Sequence, residues 1–471
     1  MSTRDPNGAQ AGYETTVLKG LANHGGLYVP NKIPNLGEAD IQALLKLEYS
    51  EMAARIKGIF ACGDIPDSEL NRIAHEAYDI TKFPDQEDGI VTRTRRIGRT
   101  CINIQDLSDG PTAAFKDVAM QFIAREVQYL LEKNNAYLDI IGATSGDTGS
   151  AAEAALRGLD RVRIAMLSPL NGMSKFQRRQ MGELTGDGVT NISVRGNFDN
   201  CQDLVKQIMQ SDEFAHLGAV NSINWARIVA QIPYYFSGYH QAAVNYGDPV
   251  DFVVPSGNFG NALAGYYARA MGLPIRNIVL ATNENNVLDT FVKSGVYAET
   301  DAQITSSPSM DISKASNLER LLYYIFSQDP ELTSKFMTSF ASTSIACLEE
   351  FGASSKAMER HGFRSGVSTH ENRIATMRWA FEHGAGVIDP HTADAVTVAR
   401  SLPEDGVPKV CLETAKAVKF LDTVADAQLQ IPGDQAKRFA DVISNSGEGE
   451  GFIIVNNDPG EVVAVLRGVL A

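Results

Sequence analysis

Three short segments carry residue types that can do chemistry together. Lys116 stands in Asp106-Leu-Ser-Asp-Gly-Pro-Thr-Ala-Ala-Phe-Lys-Asp117, after a short apolar run and a Gly-Pro turn. An ε-amine at a loop-to-helix junction can form a Schiff base with a carbonyl compound once desolvation or nearby positive charge lowers its pKa. A solvated surface lysine is the other reading of that position. Ser256-Gly-Asn-Phe-Gly-Asn261 follows a buried-type strand, Asp251-Phe-Val-Val-Pro255, and opens a helix of small residues. Its glycines let the backbone turn tightly, and the first-turn N–H groups point at an anion, so a phosphate is the natural guest. A tight turn without a ligand is equally compatible. The segment has neither the lysine of a P-loop nor GxGxxG spacing, which argues against nucleoside triphosphates and dinucleotides. Thr144-Ser-Gly-Asp-Thr-Gly149 occupies the same kind of position. Its hydroxyls and N–H groups suit a carboxylate, with Asp147 the awkward member. A phosphate site, a carboxylate site and an amine nucleophile together describe pyridoxal phosphate with an amino-acid substrate.

Such segments need a scaffold that brings loops together. From about residue 100 to 290 the pattern is strand, glycine loop, helix, repeated. Leu138-Asp-Ile-Ile141, Val162-Arg-Ile-Ala-Met-Leu167, Asn191-Ile-Ser-Val194, Asp251–Pro255 and Ile278-Val-Leu-Ala281 read as short strands. Alternation of this kind indicates an α/β fold with parallel sheets flanked by helices. Residues 1 to 95 instead show helical patterns, as in Ala39–Leu47 and Asp67–Ala74, with Leu21–Pro30 reading as a turn followed by a strand. After 290 the chain reads as mostly helical until Lys409-Val-Cys-Leu412 and Gly451-Phe-Ile-Ile-Val455.

Composition narrows the class. The 471 residues are 44% hydrophobic and 21% charged, with a formal net charge of −15. No basic field exists for nucleic acid, and an anionic substrate needs a local cluster of donors acting against the global charge. The five cysteines form no CxxC pair and read as reduced structural thiols. No run approaches a membrane span and the polar start is no signal peptide, so no membrane partner and a cytoplasmic location are expected.

Several motifs resemble one family. Gly110–Asp117, Gly142–Gly149, Val253–Asn261 and Ser307-Pro-Ser-Met-Asp-Ile312 are similar to segments of the threonine synthases. So are Gly25–Pro30, Asn221–Ile228 and Asp389-Pro-His-Thr-Ala393, and the matches run in order from about residue 2 to 420. The resemblance implies a fold type II, tryptophan synthase β-like enzyme using pyridoxal 5'-phosphate, with two open parallel-type sheets and an α-rich N-terminal domain. It implies the reaction of O-phospho-L-homoserine with water to give L-threonine and phosphate. It assigns the Schiff-base and proton-shuttling role to Lys116, and the cofactor phosphate to Gly257, Asn258, Phe259, Gly260 and Asn261. Ser145, Gly146, Asp147, Thr148 and Gly149 are assigned to the substrate carboxylate, with Asp147 near the cofactor's 3-hydroxyl. Thr414 is assigned to the pyridine nitrogen, and Lys175, Arg178 and Arg227 are candidates for the substrate phosphate. Expected domains are 1–95, a large cofactor domain of 96–132 and 226–471, and a small substrate-carboxylate domain of 133–225, in a monomer or homodimer.

The chain departs from that family at two positions. Asp109 and Lys416 stand where the family often has histidine, and His391 is read as structural. Two alternatives remain at this level: a pyridoxal-phosphate-dependent serine or threonine dehydratase, and a cofactor-free amino-acid or phosphate binding protein.

Overall fold

The computed structural model describes residues 1–470 apart from 23–24, 85–89, 210, 215–216, 219–222 and 445–449. Parts of the Leu21–Pro30 and Asn221–Ile228 motifs therefore lie outside the described residues. The strands in chain order are β1 (Thr94–Arg96), β2 (Ile102–Gln105), β3 (Leu138–Ala143), β4 (Val162–Pro169), β5 (Val189–Arg195) and β6 (Val250–Pro255). They continue with β7 (Ile275–Thr282), β8 (Val296–Ala298), β9 (Ile345–Cys347), β10 (Phe363–Val367), β11 (Lys409–Leu412) and β12 (Phe452–Asn456).

The larger sheet has six strands in the order β1-β2-β11-β6-β7-β10, parallel throughout except for β1 against β2. Side chains of a strand alternate between faces, and here both faces are dry. Phe252, Val254, Val410 and Leu412 enter one core cluster, while the intervening Val253 and Cys411 enter another. That is why β6 reads as a continuous apolar run. The smaller sheet has four parallel strands in the order β12-β5-β4-β3.

In open parallel sheets ligands lie beyond the carboxyl ends of the strands. β2, β11 and β6 are neighbours in the larger sheet, so the loops that follow them must converge. Those loops carry Lys116, Thr414 and Ser256–Asn261. The N-terminal helices brace this arrangement through a buried ion pair. Lys57 Nζ lies 3.0 Å from Glu126 Oε2 on the helix that Lys116 begins, and Tyr13 donates to Glu126 Oε1 at 2.9 Å.

Four sequence-based expectations need correction. The C-terminus, assigned with residues 226–471 to the large domain, places β12 in the smaller sheet, in register Phe452↔Asn191 to Asn456↔Arg195. The helix Pro459–Val469 follows it and buries Val462 and Leu466 against Ile192, Val194 and Leu204. Pairing between strands more than 250 residues apart leaves no local mark in the sequence. The boundary at 95/96 cuts through β1, which belongs to the larger sheet. The stretch after 290, read as mostly helical, is so, but it also contains the short strands β8, β9 and β10; β10 is Phe-Arg-Ser-Gly-Val, an edge strand with no apolar run to announce it. Among its described residues Leu21–Pro30 forms no strand: Tyr28 bridges Ser2, with Thr3 N donating to Leu27 O and Val29 N to Met1 O. Among the described residues, no helix is long and apolar enough to cross a membrane, and the five cysteines are free.

Candidate active site

The lysine loop is locked before the helix begins. Asp117 turns its carboxylate back to accept from Thr112 N at 2.8 Å and Thr112 Oγ1 at 2.7 Å. A Cβ on Gly110 would lie 2.3 Å from Asp117 Cβ, so only glycine fits the turn. Burial pushes the Asp117 carboxyl up to about 6, with the Thr112 bonds holding it down. Helix Lys116–Asn134 then starts, and Phe115 N donates to Thr414 O at 3.0 Å while Ala114 bridges Ala415. Lys116 and Thr414 are thereby stitched side by side. Both line the same cavity.

Across that cavity lies the loop after β6. Phe259 sits at φ 64°, a left-handed conformation unusual for a bulky residue, and caps helix Gly260–Ala270. The strained cap aims the helix N-terminus, with its unsatisfied N–H groups, into the cavity. A Cβ on Gly257 would lie 3.1 Å from Met310 Cα and 3.3 Å from Ser309 O, so this loop approaches its neighbour as closely as backbone allows. Tyr234 and Tyr235 hydroxyls meet Asn261 Oδ1 at 2.6 and 2.8 Å, which fixes the orientation of that amide. Four buried polar atoms on the cavity wall lack a partner among the described residues: Ser256 Oγ, Asn261 Nδ2, Thr414 Oγ1 and Arg227 Nη1. Buried polar groups are normally paired, so four orphans on one wall mark a polar guest.

The fourth side is ionic. Asp147 accepts from Lys116 Nζ at 3.1 Å and Ser309 Oγ at 2.8 Å on Oδ2, and from Gln177 Nε2 at 2.8 Å on Oδ1. Lys419 Nζ lies 2.7 Å from the same Oδ1. Burial alone would raise the Asp147 carboxyl; Lys116 and Lys419 override it and hold the group well below the usual range. Burial pushes the Lys116 amine down, with Arg227 and Lys419 adding to the effect and Asp147 opposing it. Arg227, buried with one nitrogen 3.4 Å from Thr148 Oγ1, is lowered to about 10 by burial and stays charged at neutral pH. Lys116 and Lys419 thus share one carboxylate, and Arg227 adds a third positive charge near Lys116, the local excess that an acidic protein needs to hold an anion.

Of the residues singled out from sequence, Lys116, Thr148, Arg227, Gly257, Asn258, Phe259, Gly260, Asn261 and Thr414 line the cavity. Gly146, at φ 128°, closes on Gln177, and Gly149 packs on Thr144 and Met181, so both glycines shape the loop. Ser145 is half-buried beside them. Lys175 and Arg178 are not brought in. Lys175 is exposed and lines a neighbouring cavity, while Arg178 donates to Ser193 Oγ and lies 4.4 Å over the Phe452 ring. Gln177, Ser309 and Lys419 were not singled out from sequence, although Ser309 stands within the Ser307–Ile312 motif and Lys419 follows Lys416 by one helical turn. His391 is a wall residue held as a clamp. Its Nε2 accepts from Ser309 N at 3.0 Å, so Nδ1 carries the proton, donated to Asp389 Oδ1 at 2.8 Å. The two departures from the family motif pair with each other. Lys416 Nζ lies 2.6 Å from Asp109 Oδ1 and 3.0 Å from Glu413 Oε2.

Known proteins share this organisation end to end. Residues 1–78 match the family described as "Threonine synthase N terminus", 92–407 "Pyridoxal-phosphate dependent enzyme" and 392–465 "Threonine synthase, C-terminal". The chain is 40% identical to threonine synthase of Corynebacterium glutamicum, covering 94% of this chain and 93% of that protein. It is 42% identical to threonine synthase of Methylobacillus glycogenes over 91% of each. The chain belongs to the threonine synthase family. Among solved structures it is similar to the PLP-bound threonine synthase of Brucella melitensis, at 36% identity and TM-score 0.87, covering 100% of this chain and 98% of that one. The yeast threonine synthase gives 33% identity and TM-score 0.88, with the same coverage.

This threonine synthase-family chain is a fold type II enzyme that uses pyridoxal phosphate. Its residues fit the group: an amine beside neutral, unpartnered donors, and a helix N-terminus across the cavity. Thr414 presents a hydroxyl, not a carboxylate, on the cavity wall.

Proposed function

We propose that this chain converts O-phospho-L-homoserine and water into L-threonine and phosphate, with Lys116 as the amine that carries the cofactor and moves protons. The observation that carries the reading is the meeting of a desolvated amine with orphaned donors and a local excess of positive charge in one cavity. Gly257, Asn258, Phe259, Gly260 and Asn261, with Ser256, are assigned the cofactor phosphate. Thr414 is assigned the ring nitrogen, and the loop Ser145–Gly149 the substrate carboxylate. Arg227 is assigned the substrate phosphate in preference to Lys175 and Arg178, because it alone of the three lies on the cavity wall.

When bound, pyridoxal phosphate supplies an electron sink for negative charge on substrate carbon. Lys116, on a helix start facing the cavity, takes a proton from one substrate carbon and returns it to another, which one amine on a flexible stem can do. Arg227 holds the phosphate that departs. The N-terminal helices, a large unit around the six-stranded sheet and a small unit around the four-stranded sheet, the last including β12, are the proposed domains.

The test is release of inorganic phosphate from O-phospho-L-homoserine, wild type beside Lys116→Ala. The substitution should lower kcat/KM by about 10³-fold, the scale of losing a positioned base and nucleophile. Near-wild-type turnover by Lys116→Ala would overturn the assignment.

A further inference from the structure

Asp147 serves two lysines, and the two are not equivalent. Lys419 Nζ lies 2.7 Å from Asp147 Oδ1 and also donates to Thr112 O at 3.0 Å and Gln180 Oε1 at 3.4 Å. An ammonium has three N–H bonds, and each has an acceptor here. The Lys419 side chain is 0% exposed. Lys116 has Asp147 Oδ2 at 3.1 Å and the face of Phe115 at 4.7 Å, and its side chain opens on the cavity. Two ammonium groups sharing one carboxylate in a desolvated site leave an excess charge, which favours loss of one proton. As a neutral amine Lys419 would have two N–H bonds for three acceptors, whereas Lys116 would still have an N–H for its single one.

We propose that Lys419 is a positioning residue for Lys116. By occupying one oxygen of Asp147 permanently, it leaves Lys116 as the lysine of the pair that gives up its proton. The inference rests on reading Lys116 as the Schiff-base lysine, and it goes beyond that reading by stating what makes the amine available. The other ionisable groups around Lys116 do not replace Lys419. Arg227 adds a further cation from the facing helix, Asp117 is turned to Thr112, and His391 is held between Ser309 and Asp389. Lys419 is also placed to act across the molecule. It lies beyond β11 of the larger sheet, while Asp147 and Gln180 lie on helices of the smaller one.

The experiment reads the protonation midpoint of Lys116 in the full-length, cofactor-free chain. Competitive acetylation across pH is quantified at the Lys116 peptide by mass spectrometry. Lys419→Gln should raise the midpoint by about one unit or more, a tenfold gain in proton affinity, because Asp147 then serves Lys116 alone. Lys419→Arg, which keeps the charge, should return it towards wild type, and Asp147→Asn should lower it. An unchanged or lower midpoint in folded Lys419→Gln overturns the proposal, since a merely structural lysine would alter stability without moving it. Where Lys419→Gln does not fold, Asp147→Asn decides: a fall in the midpoint supports the shared carboxylate and no change overturns it. Borohydride reduction of the wild-type holoenzyme tests the underlying reading separately. Cofactor trapped at another lysine would sink that reading and leave the midpoint comparison standing.

Discussion

Asp147 and Glu153 are two buried carboxyl groups on one helix, Asp147–Leu156, less than two turns apart, and their surroundings set opposite states. Asp147 meets Lys116, Lys419, Gln177 and Ser309, and its carboxyl lies well below the usual range. Neither oxygen of Glu153 has a partner among the described residues. Burial pushes its carboxyl well above the ordinary range, opposed by the nearby Asn191. Burial by itself neutralises an acid, and directed donors keep it charged. One end of this helix is built to hold a charge at the cavity, while the other is built into the small unit's packing.

The sharpest way to break the contrast is to give the Asp147 end the apolar character of the Glu153 end. Asp147→Leu leaves Lys419 buried without its counter-ion, and such losses cost about 3–5 kcal/mol. Urea unfolding should show a fall of that order, beyond any loss of activity. The sign with pH follows from the depressed pKa. The stabilisation from Asp147 is fully present above the unfolded-state value and is lost as pH falls through the lower folded value. Wild type and Asp147→Leu should therefore converge only in strong acid. A variant as stable as wild type at pH 7 would show that the four donors contribute nothing.

An orphan on the cavity wall should behave differently from a charge with partners. Thr414 Oγ1 is buried and unpaired, so Thr414→Val removes a polar atom that has nothing to lose in the cofactor-free state. Cofactor affinity, read by equilibrium dialysis, should weaken by about tenfold, the worth of one hydrogen bond of about 1.4 kcal/mol, while apo stability stays level or rises. Weakened apo stability would mean the hydroxyl serves the fold instead.

What was legible in the sequence follows the same division. The glycine loops and Lys116 are local, since a buried strand, a turn and a helix start are contiguous, and a parallel sheet then obliges the loops after β2, β6 and β11 to meet. The Asp147 corner is not local. Ser309 and Lys419 reach it from 162 residues away and from beyond β11, and nothing in either segment says which acid it will face. Asp109 and Lys416 looked like separate departures from a family motif until the fold set them 2.6 Å apart. Arg178, on a helix like any other cation of its kind, turned to Phe452 of β12, a strand that sequence order had assigned to the other unit.

The smallest effect expected is at the other end of the helix. Glu153→Gln keeps the shape, cannot ionise, and places an amide near the Asn191 side chain, whose Oδ1 also lacks a partner among the described residues. For wild type the folded pKa is raised, so the neutral acid costs nothing below the unfolded-state value. Stability is then lost as pH rises from there through the folded value. The variant avoids that loss. Its advantage should be near zero at about pH 4 and grow steadily as pH rises to neutral in urea unfolding, the mark of an ionisation avoided rather than of a bond gained. A constant advantage across pH would assign the gain to the amide bond alone. A disadvantage at pH 7 would mean that Glu153 is a charged, partnered group like Asp147, and the contrast between the two ends of the helix would fail.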